Sequence, residues 1–281
     1  MHFHVLVLGS GSGGNTSVLR YSDASGKSRH ILIDMGLGPR TTRNRAQLHG
    51  IDLDQVDAIV LTHGDQDHCN PNWRRTLSKR PIPVYVAPAH IPEALAAGIP
   101  PDAIRRLLGT IEHERALRIR TAISPHDREG TTALRIEHIA HNQDPPPSLG
   151  WLTDLGEVLP EVERLISGVD LIAIESNYDR SMQLNAPRPQ FLKNRIMGGH
   201  GHLSNDQAHE AVLRLSAEKI PQAIVLLHLS RECNCPEILE NLWKVRSPGL
   251  SELLYITHQV EPIGPIAIAG TVPLEAQTLF S

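Results

Sequence analysis

A layered α/β sandwich is the architecture that this chain encodes, and three observations point to it. Short apolar runs come first in groups that look antiparallel. Further apolar runs then alternate with helical patterns, which favours sheets covered by helices over a purely parallel sheet. The 281 residues carry 40% hydrophobic but only 4% aromatic side chains, enough for a real core that must be mainly aliphatic. No internal repeat and no dividing linker is visible, so a single domain spanning 1–281 is expected.

In order along the chain, Phe3 to Leu8 reads as a buried strand that ends in Gly9-Ser10-Gly11-Ser12-Gly13-Gly14. Asn15 to Tyr21 and His30 to Ile33 read as two strands joined by a polar turn. Arg40 to His49 has a helical pattern, Asp57 to Leu61 is an apolar strand, and Asn70 to Ser78 is a helix that opens after Pro71. Val84 to Ala87 is a short strand. Glu93 to Ala97 and Asp102 to Leu108 read as helical pieces interrupted by Gly98, Pro100 and Pro101.

Leu117 to Ile123 and Thr131 to Ile139 pair as strands before the proline-rich loop Asp144 to Ser148. Leu149 to Thr153, Leu171 to Ile174 and Ala223 to Leu227 are further buried strands. The helices between and after them cover Val158 to Ser167, Gln207 to Ala217 (entered through the capping residue Ser204) and Pro236 to Val245. Ala267-Ile268 is strand-like.

The glycines Gly9, Gly11 and Gly14 satisfy the dinucleotide-binding pattern, with Asp34 at ribose distance. That site requires a helix straight after the last glycine to hold the pyrophosphate, and Thr16 to Tyr21 alternates as a strand instead. The glycines therefore predict a tight turn, either structural or approaching a site closely.

The densest chemistry is Thr62-His63-Gly64-Asp65-Gln66-Asp67-His68, which packs the candidate ligands His63, Asp65, Asp67 and His68 directly after an apolar strand. Imidazoles and carboxylates so crowded are costly to desolvate unless a cation satisfies them. Three more candidates follow strands: His126, Asp154 and His228. A carboxylate such as Asp154 can bridge two cations, and two neighbouring cations can share and acidify one water. The formal charge of −4 carries no basic field of the kind that advertises nucleic-acid binding. The odd cysteine count (Cys69, Cys233 and Cys235) favours a reducing compartment. With no signal peptide or membrane span in view, the cytoplasm is the expected location.

His-x-Asp-x-Asp-His followed in order by His126, Asp154 and His228 resembles the metallo-β-lactamase superfamily. The likeness extends to Leu32-Ile33-Asp34-Met35-Gly36, Leu152-Thr153-Asp154-Leu155-Gly156, Glu175-Ser176-Asn177-Tyr178-Asp179, Gly201-His202-Leu203-Ser204-Asn205 and His228-Leu229-Ser230-Arg231-Glu232. It is strongest to the YycJ/WalJ-type nuclease-like branch and more distant to ribonuclease Z. The resemblance implies a four-layered αββα sandwich with two mixed sheets and two divalent metal ions. It gives His63, Asp65, His126 and Asp154 to the first ion, and Asp67, His68, His228 and the shared Asp154 to the second.

Asp65 stands where the family usually has a second histidine; its harder, charged donor would admit manganese or iron beside zinc. The resemblance further implies a hydrolase, above all a phosphodiesterase or nuclease, that uses a metal-bridging hydroxide. Asp67 would orient the water, and a Glu175–His202 pair would supply the leaving group's proton. Nucleic acid or a small phosphodiester is then the expected substrate. Hydrolysis of a small ester, lactone or thioester, or a non-catalytic metal-binding regulatory role, are the alternatives. Arg188, Lys193 and Arg195 offer either phosphate contacts or a solvated helix face.

Overall fold

The computed structural model describes residues 2–141 and 143–269; the side chain of His141 lies outside the described residues. The first half runs β1 (Phe3–Gly9), β2 (Thr16–Ser22), β3 (Ser28–Ile33), α1 (Pro39–Gln47), β4 (Val56–Leu61), α2 (Trp73–Lys79), β5 (Val84–Val86), α3 (Ile91–Ala96) and β6 (Ile104–Arg106). The second half runs β7 (Thr110–His113), β8 (Leu117–Ser124), β9 (Thr131–His138), β10 (Ser148–Leu152), α4 (Pro160–Ile166), β11 (Leu171–Glu175), α5 (Arg180–Asn185) and α6 (Gln190–Met197). It continues with α7 (Asn205–Leu215), β12 (Ala223–Leu227), α8 (Pro236–Arg246), α9 (Pro248–Ser251), β13 (Leu254–Ile256) and β14 (Ile263–Ala267).

These strands form two seven-stranded sheets, ordered β14-β1-β2-β3-β4-β5-β6 and β13-β12-β11-β10-β9-β8-β7. Each is mixed. β1, β2 and β3 are antiparallel and β3 to β6 parallel, while β7 to β10 are antiparallel and β10 to β13 parallel.

The strands are apolar on both faces because both faces are covered. Phe3, Val5 and Val7 of β1 point into the interior shared by the two sheets, where they meet Leu171, Ala173, Val225 and Leu227. The alternate residues Leu6 and Leu8 point outward against Ala46, Trp73, Leu77 and Ala94 of the first helical layer. On the second sheet the outward residues Ile172, Ile174, Ile224 and Leu226 meet Val162, Ile166, Val212, Leu215, Leu239 and Trp243. The result is the αββα sandwich with two mixed sheets that the sequence implies. Among the described residues no helix is long and apolar enough to cross a membrane.

One local expectation is overturned. Asp102 to Leu108 is not helical; Ile104–Arg106 is the edge strand β6, paired with β5. Its exposed arginines are typical of an edge that must discourage further pairing, and tertiary pairing outweighs the local helix pattern. α7 has the expected start: Ser204 and Gln207 form a reciprocal capping box, so the helix begins at Asn205.

Candidate metal centre and active site

Every candidate metal ligand, and Glu175, arrives at the carboxyl end of a strand; His202 comes from the connection between α6 and α7. The loop 62–70 follows β4, His126 follows β8, Asp154 follows β10, Glu175 ends β11 and His228 follows β12. Several of these positions need an unusual backbone. Asp34, Asp154 and His228 have φ of 60°, 54° and 53°, the left-handed region that side chains rarely adopt. Such strain tends to collect where function requires a side chain to be re-aimed.

The glycine-rich turn after β1 enters a strand, β2, as expected, and it reaches the site. Gly11 N–H and Ser10 Oγ both donate to Asn15 Oδ1 at 2.7 and 3.0 Å, and Ser10 Oγ in turn accepts the His228 backbone N–H at 2.8 Å. Asn15 Nδ2 lies 2.8 Å from His68 Nε2. Gly36 packs so tightly under the ligand loop that a Cβ there would overlap the Asp67 carbonyl.

The structure brings together all the residues singled out for the site. Each imidazole is anchored through one ring nitrogen, which leaves the other facing the cluster. His68 Nδ1 lies 2.8 Å from Asp34 Oδ2, and His63 Nδ1 lies 3.0 Å from Thr62 Oγ1. His126 Nδ1 is 3.0 Å from the Gly201 carbonyl, and His228 Nδ1 is 2.9 Å from both Glu175 Oε1 and Asp154 Oδ1. Such outer partners fix the orientation and tautomer of ligating imidazoles.

Three carboxylates face the remaining nitrogens. Asp65 Oδ2 is 3.7 Å from the Nε2 atoms of both His63 and His126. Asp67 Oδ2 is 3.4 Å from His228 Nε2, and Asp154 Oδ2 is 2.8 Å from His68 Nε2. His63, His126 and Asp154 thus converge as one ligand group and Asp67, His68 and His228 as another.

A cation fits this arrangement. The Nε2 atoms of His63 and His228 are buried without a hydrogen-bond partner among the described residues. An orphaned buried polar atom costs about 1–3 kcal/mol, which an ion taking the place of any proton there would offset. Neutral imidazole with carboxylate is the donor chemistry of first-row divalent cations.

The protonation balance of the protein groups agrees. Burial, reinforced by the neighbouring His68, holds the His63 imidazole well below its ordinary range. Burial works the same way on His68 and His228, but the Asp154 carboxylate overcomes it and raises both well above 6.5. His126 is opposed by burial and lifted by Asp65 to about 9. Asp154 would be raised by burial, yet the cationic imidazoles of His228 and His68 hold it well below the usual carboxylate range. An anionic hub surrounded by imidazoles is thereby in place for a cation to replace protons.

Beside this cluster, Glu175 is fully buried and its two oxygens take four donors. Oε1 receives His202 Nδ1 at 2.7 Å and His228 Nδ1 at 2.9 Å; Oε2 accepts the Leu155 and Leu203 amides at 3.0 and 3.1 Å. Burial pushes this carboxyl up, but the adjacent imidazoles prevail and keep it below its usual range. His202 is held by Nδ1, which leaves Nε2 for the cavity it helps to line. The cavity holds about 250 Å³ between the ligand loops and α6, with Arg188, Leu192, Arg195 and Ile196 on the α6 side.

Other residues fall outside the cluster. Arg188 pairs with Glu232 and Arg195 with Asp127, both at the cavity rim, while Lys193 Nζ donates to the Leu184 carbonyl. His138 is buried in the shared interior against Phe3 and Tyr21, at neither the surface nor the site. Cys69 and Cys233 are buried, and burial pushes the Cys69 thiol up to about 12, so it is inert. None of the three cysteines belongs to a ligand group among the described residues. The sequence placed Asp34 and Asn177 in motifs shared with the superfamily but gave neither them nor Asn15 a part in the cluster; Asn177 donates to the His228 carbonyl at 2.8 Å. Asp34 and Asn177 also follow buried strands, and Asn15 stands directly before one.

The chain is similar to known proteins over most of its length. A family model described as a beta-lactamase superfamily domain matches residues 29–229, a span that contains every candidate side chain. Exodeoxyribonuclease YycJ of Bacillus anthracis is 26% identical over 275 residues, which cover 95% of this chain and 99% of that one. Among solved structures, a diphosphatase of the PhnP family superposes with a TM-score of 0.61 at 17% identity, over 94% of this chain and 97% of that one. The long form of RNase Z from yeast gives 0.60 at 13% identity, over 95% of this chain and 42% of that one. Identities this low in the two structural matches speak for the fold alone.

Proposed function

The chain belongs to the beta-lactamase superfamily, and from that premise we propose that it is a metal-dependent phosphodiesterase that cleaves nucleic acid. The observation that carries this reading is the Glu175–His202 pair. Its imidazole is locked at 2.7 Å by a saturated carboxylate and lines the same cavity as the ligand cluster. The relative named an exodeoxyribonuclease supports it across nearly the whole length of both chains.

In this reading His63, Asp65, His126 and Asp154 hold one divalent cation, and Asp67, His68, His228 and Asp154 a second. Bound there, such ions supply an acidified water and positive charge for the phosphate. The protein does the rest. Asp67, one-quarter exposed beside His228, would orient a water there and accept its proton. His202 would act as the imidazolium, with Nδ1–H held by Glu175, and give its Nε2 proton to the departing oxygen, becoming the neutral Nδ1–H form. Zinc, manganese and iron are the candidate metals. One domain in the cytoplasm completes the proposal: the sheets share one interior, and the cysteines described are unpaired.

The test is a panel of bis(p-nitrophenyl) phosphate, single- and double-stranded DNA, a thioester and a lactone, each assayed with manganese, zinc and iron. Turnover confined to the phosphodiesters is expected. A specific observation favours the small-ester alternative, because Asp127 and Glu232 neutralise the two arginines at the rim. Turnover of the lactone or thioester alone would establish that reading instead.

The carboxylate of Asp65 makes a further prediction. Its side chain is 53% exposed yet lies between His63 and His126, so Asp65→His is expected to shift metal preference toward zinc. Metal content after competitive loading with zinc and manganese measures this; an unchanged ratio would remove Asp65 from the ligand set.

A further inference from the structure

Helix α6 contributes no buried residue to the sandwich, although an eight-residue helix has little stability of its own. Leu192 and Ile196, one turn apart, line the cavity, and so does Arg195. Phe191 precedes Arg195 by four residues and so stands about 40° from it around the helix axis, on the flank of the face that lines the cavity and not in the lining itself. It is 74% exposed. The chain is poor in aromatics, and among its described Phe, Tyr and Trp residues Tyr255, at 38%, is the only other exposed one. An aromatic ring held in water beside an active-site mouth gains nothing for folding.

Outside the candidate ligands, side-chain charge supplies little affinity for the rest of a nucleic-acid strand at this mouth. Arg188 and Arg195 line the cavity but are each paired with a carboxylate, Glu232 and Asp127, and the whole chain carries −4. Counterion release scales with the number of phosphates neutralised, so it contributes little here. Base stacking on an aromatic ring is independent of that charge and of sequence. The cavity, about 250 Å³, has room for about one nucleotide, and a ring can stack face to face only on a base that is not buried in a duplex.

We infer that α6 is a nucleobase-stacking platform, on which Phe191 stacks a base of an unpaired strand whose backbone enters the cavity past Leu192 and Ile196. This rests on the phosphodiesterase reading and names its substrate class, single-stranded nucleic acid.

The test compares cleavage of a single-stranded DNA oligonucleotide with that of the same strand made abasic at its terminal nucleotides. The expected result is about a tenfold preference of the wild type for the base-bearing strand in kcat/KM, the size of one stacked base. Phe191→Ala is expected to abolish that preference and Phe191→Trp to keep it. A preference that survives Phe191→Ala, or none in the wild type, overturns the inference while leaving the phosphodiesterase reading intact. If the wild type cleaves neither strand, that reading fails, and the platform is judged by binding alone. Quenching of Phe191→Trp fluorescence by the base-bearing but not the abasic strand would support it, and no quenching would overturn it.

Discussion

Asp154→Asn is expected to cost the protein its metal and its activity together. The carboxylate is buried where the two ligand groups meet, with Oδ2 at 2.8 Å from His68 and Oδ1 at 2.9 Å from His228. Asparagine is nearly isosteric and tolerates the left-handed backbone at this position, so the fold should survive. What disappears is the negative charge shared between the two groups. Loss of an outer partner alone costs about 10–100-fold in metal affinity or activity, and a shared ligand should exceed the upper figure. Elemental analysis and turnover on the same preparation check this, and full metal content in the variant would refute the shared-ligand role.

A second readout of the same variant is the pH dependence of stability in chelator. Asp154 raises the folded-state affinity of His68 and His228 for protons, and Asp65 does so for His126. A histidine whose value is raised on folding stabilises the protein fully below its unfolded value of 6.5. That contribution is lost as pH rises through the folded value, about 9 for His126. The Tm of the chelated wild type should therefore fall between pH 6.5 and 9, and that of Asp154→Asn should fall less.

The second large effect belongs to His202. His202→Ala is expected to slow cleavage of a DNA phosphodiester by about 10²–10⁴, the usual worth of a positioned general acid. A nitrophenolate leaves without a proton, so bis(p-nitrophenyl) phosphate should be spared. The split distinguishes proton donation from a structural role, since a collapsed site would lose both substrates equally. Glu175→Gln should show the same split along with a larger general loss, because Glu175 also anchors His228 and the amides of Leu155 and Leu203.

The layers of the sandwich could be read from the sequence because strands buried on both faces leave continuous apolar runs, as in Ala223 to Leu227. The ligand loops were legible for a related reason: they interrupt those runs abruptly with His and Asp. What escaped was short or peripheral. β6, β7 and β13 have three or four residues, and their identity is decided by a neighbouring strand distant in sequence. α6 buries nothing, so no apolar periodicity announces it. Asp34 was visible as a possible ribose contact and as part of a shared motif but not as a partner of His68, because that bond joins two loops 34 residues apart.

The left-handed backbone at Asp154 and His228 also limits how this centre could be re-engineered. Residues branched at Cβ are excluded from both positions, and a swap there risks the turn itself. Asp65 and Asp67 have no such restriction, so a library meant to retune the metal would do best to vary the loop after β4 and leave the two strand ends untouched.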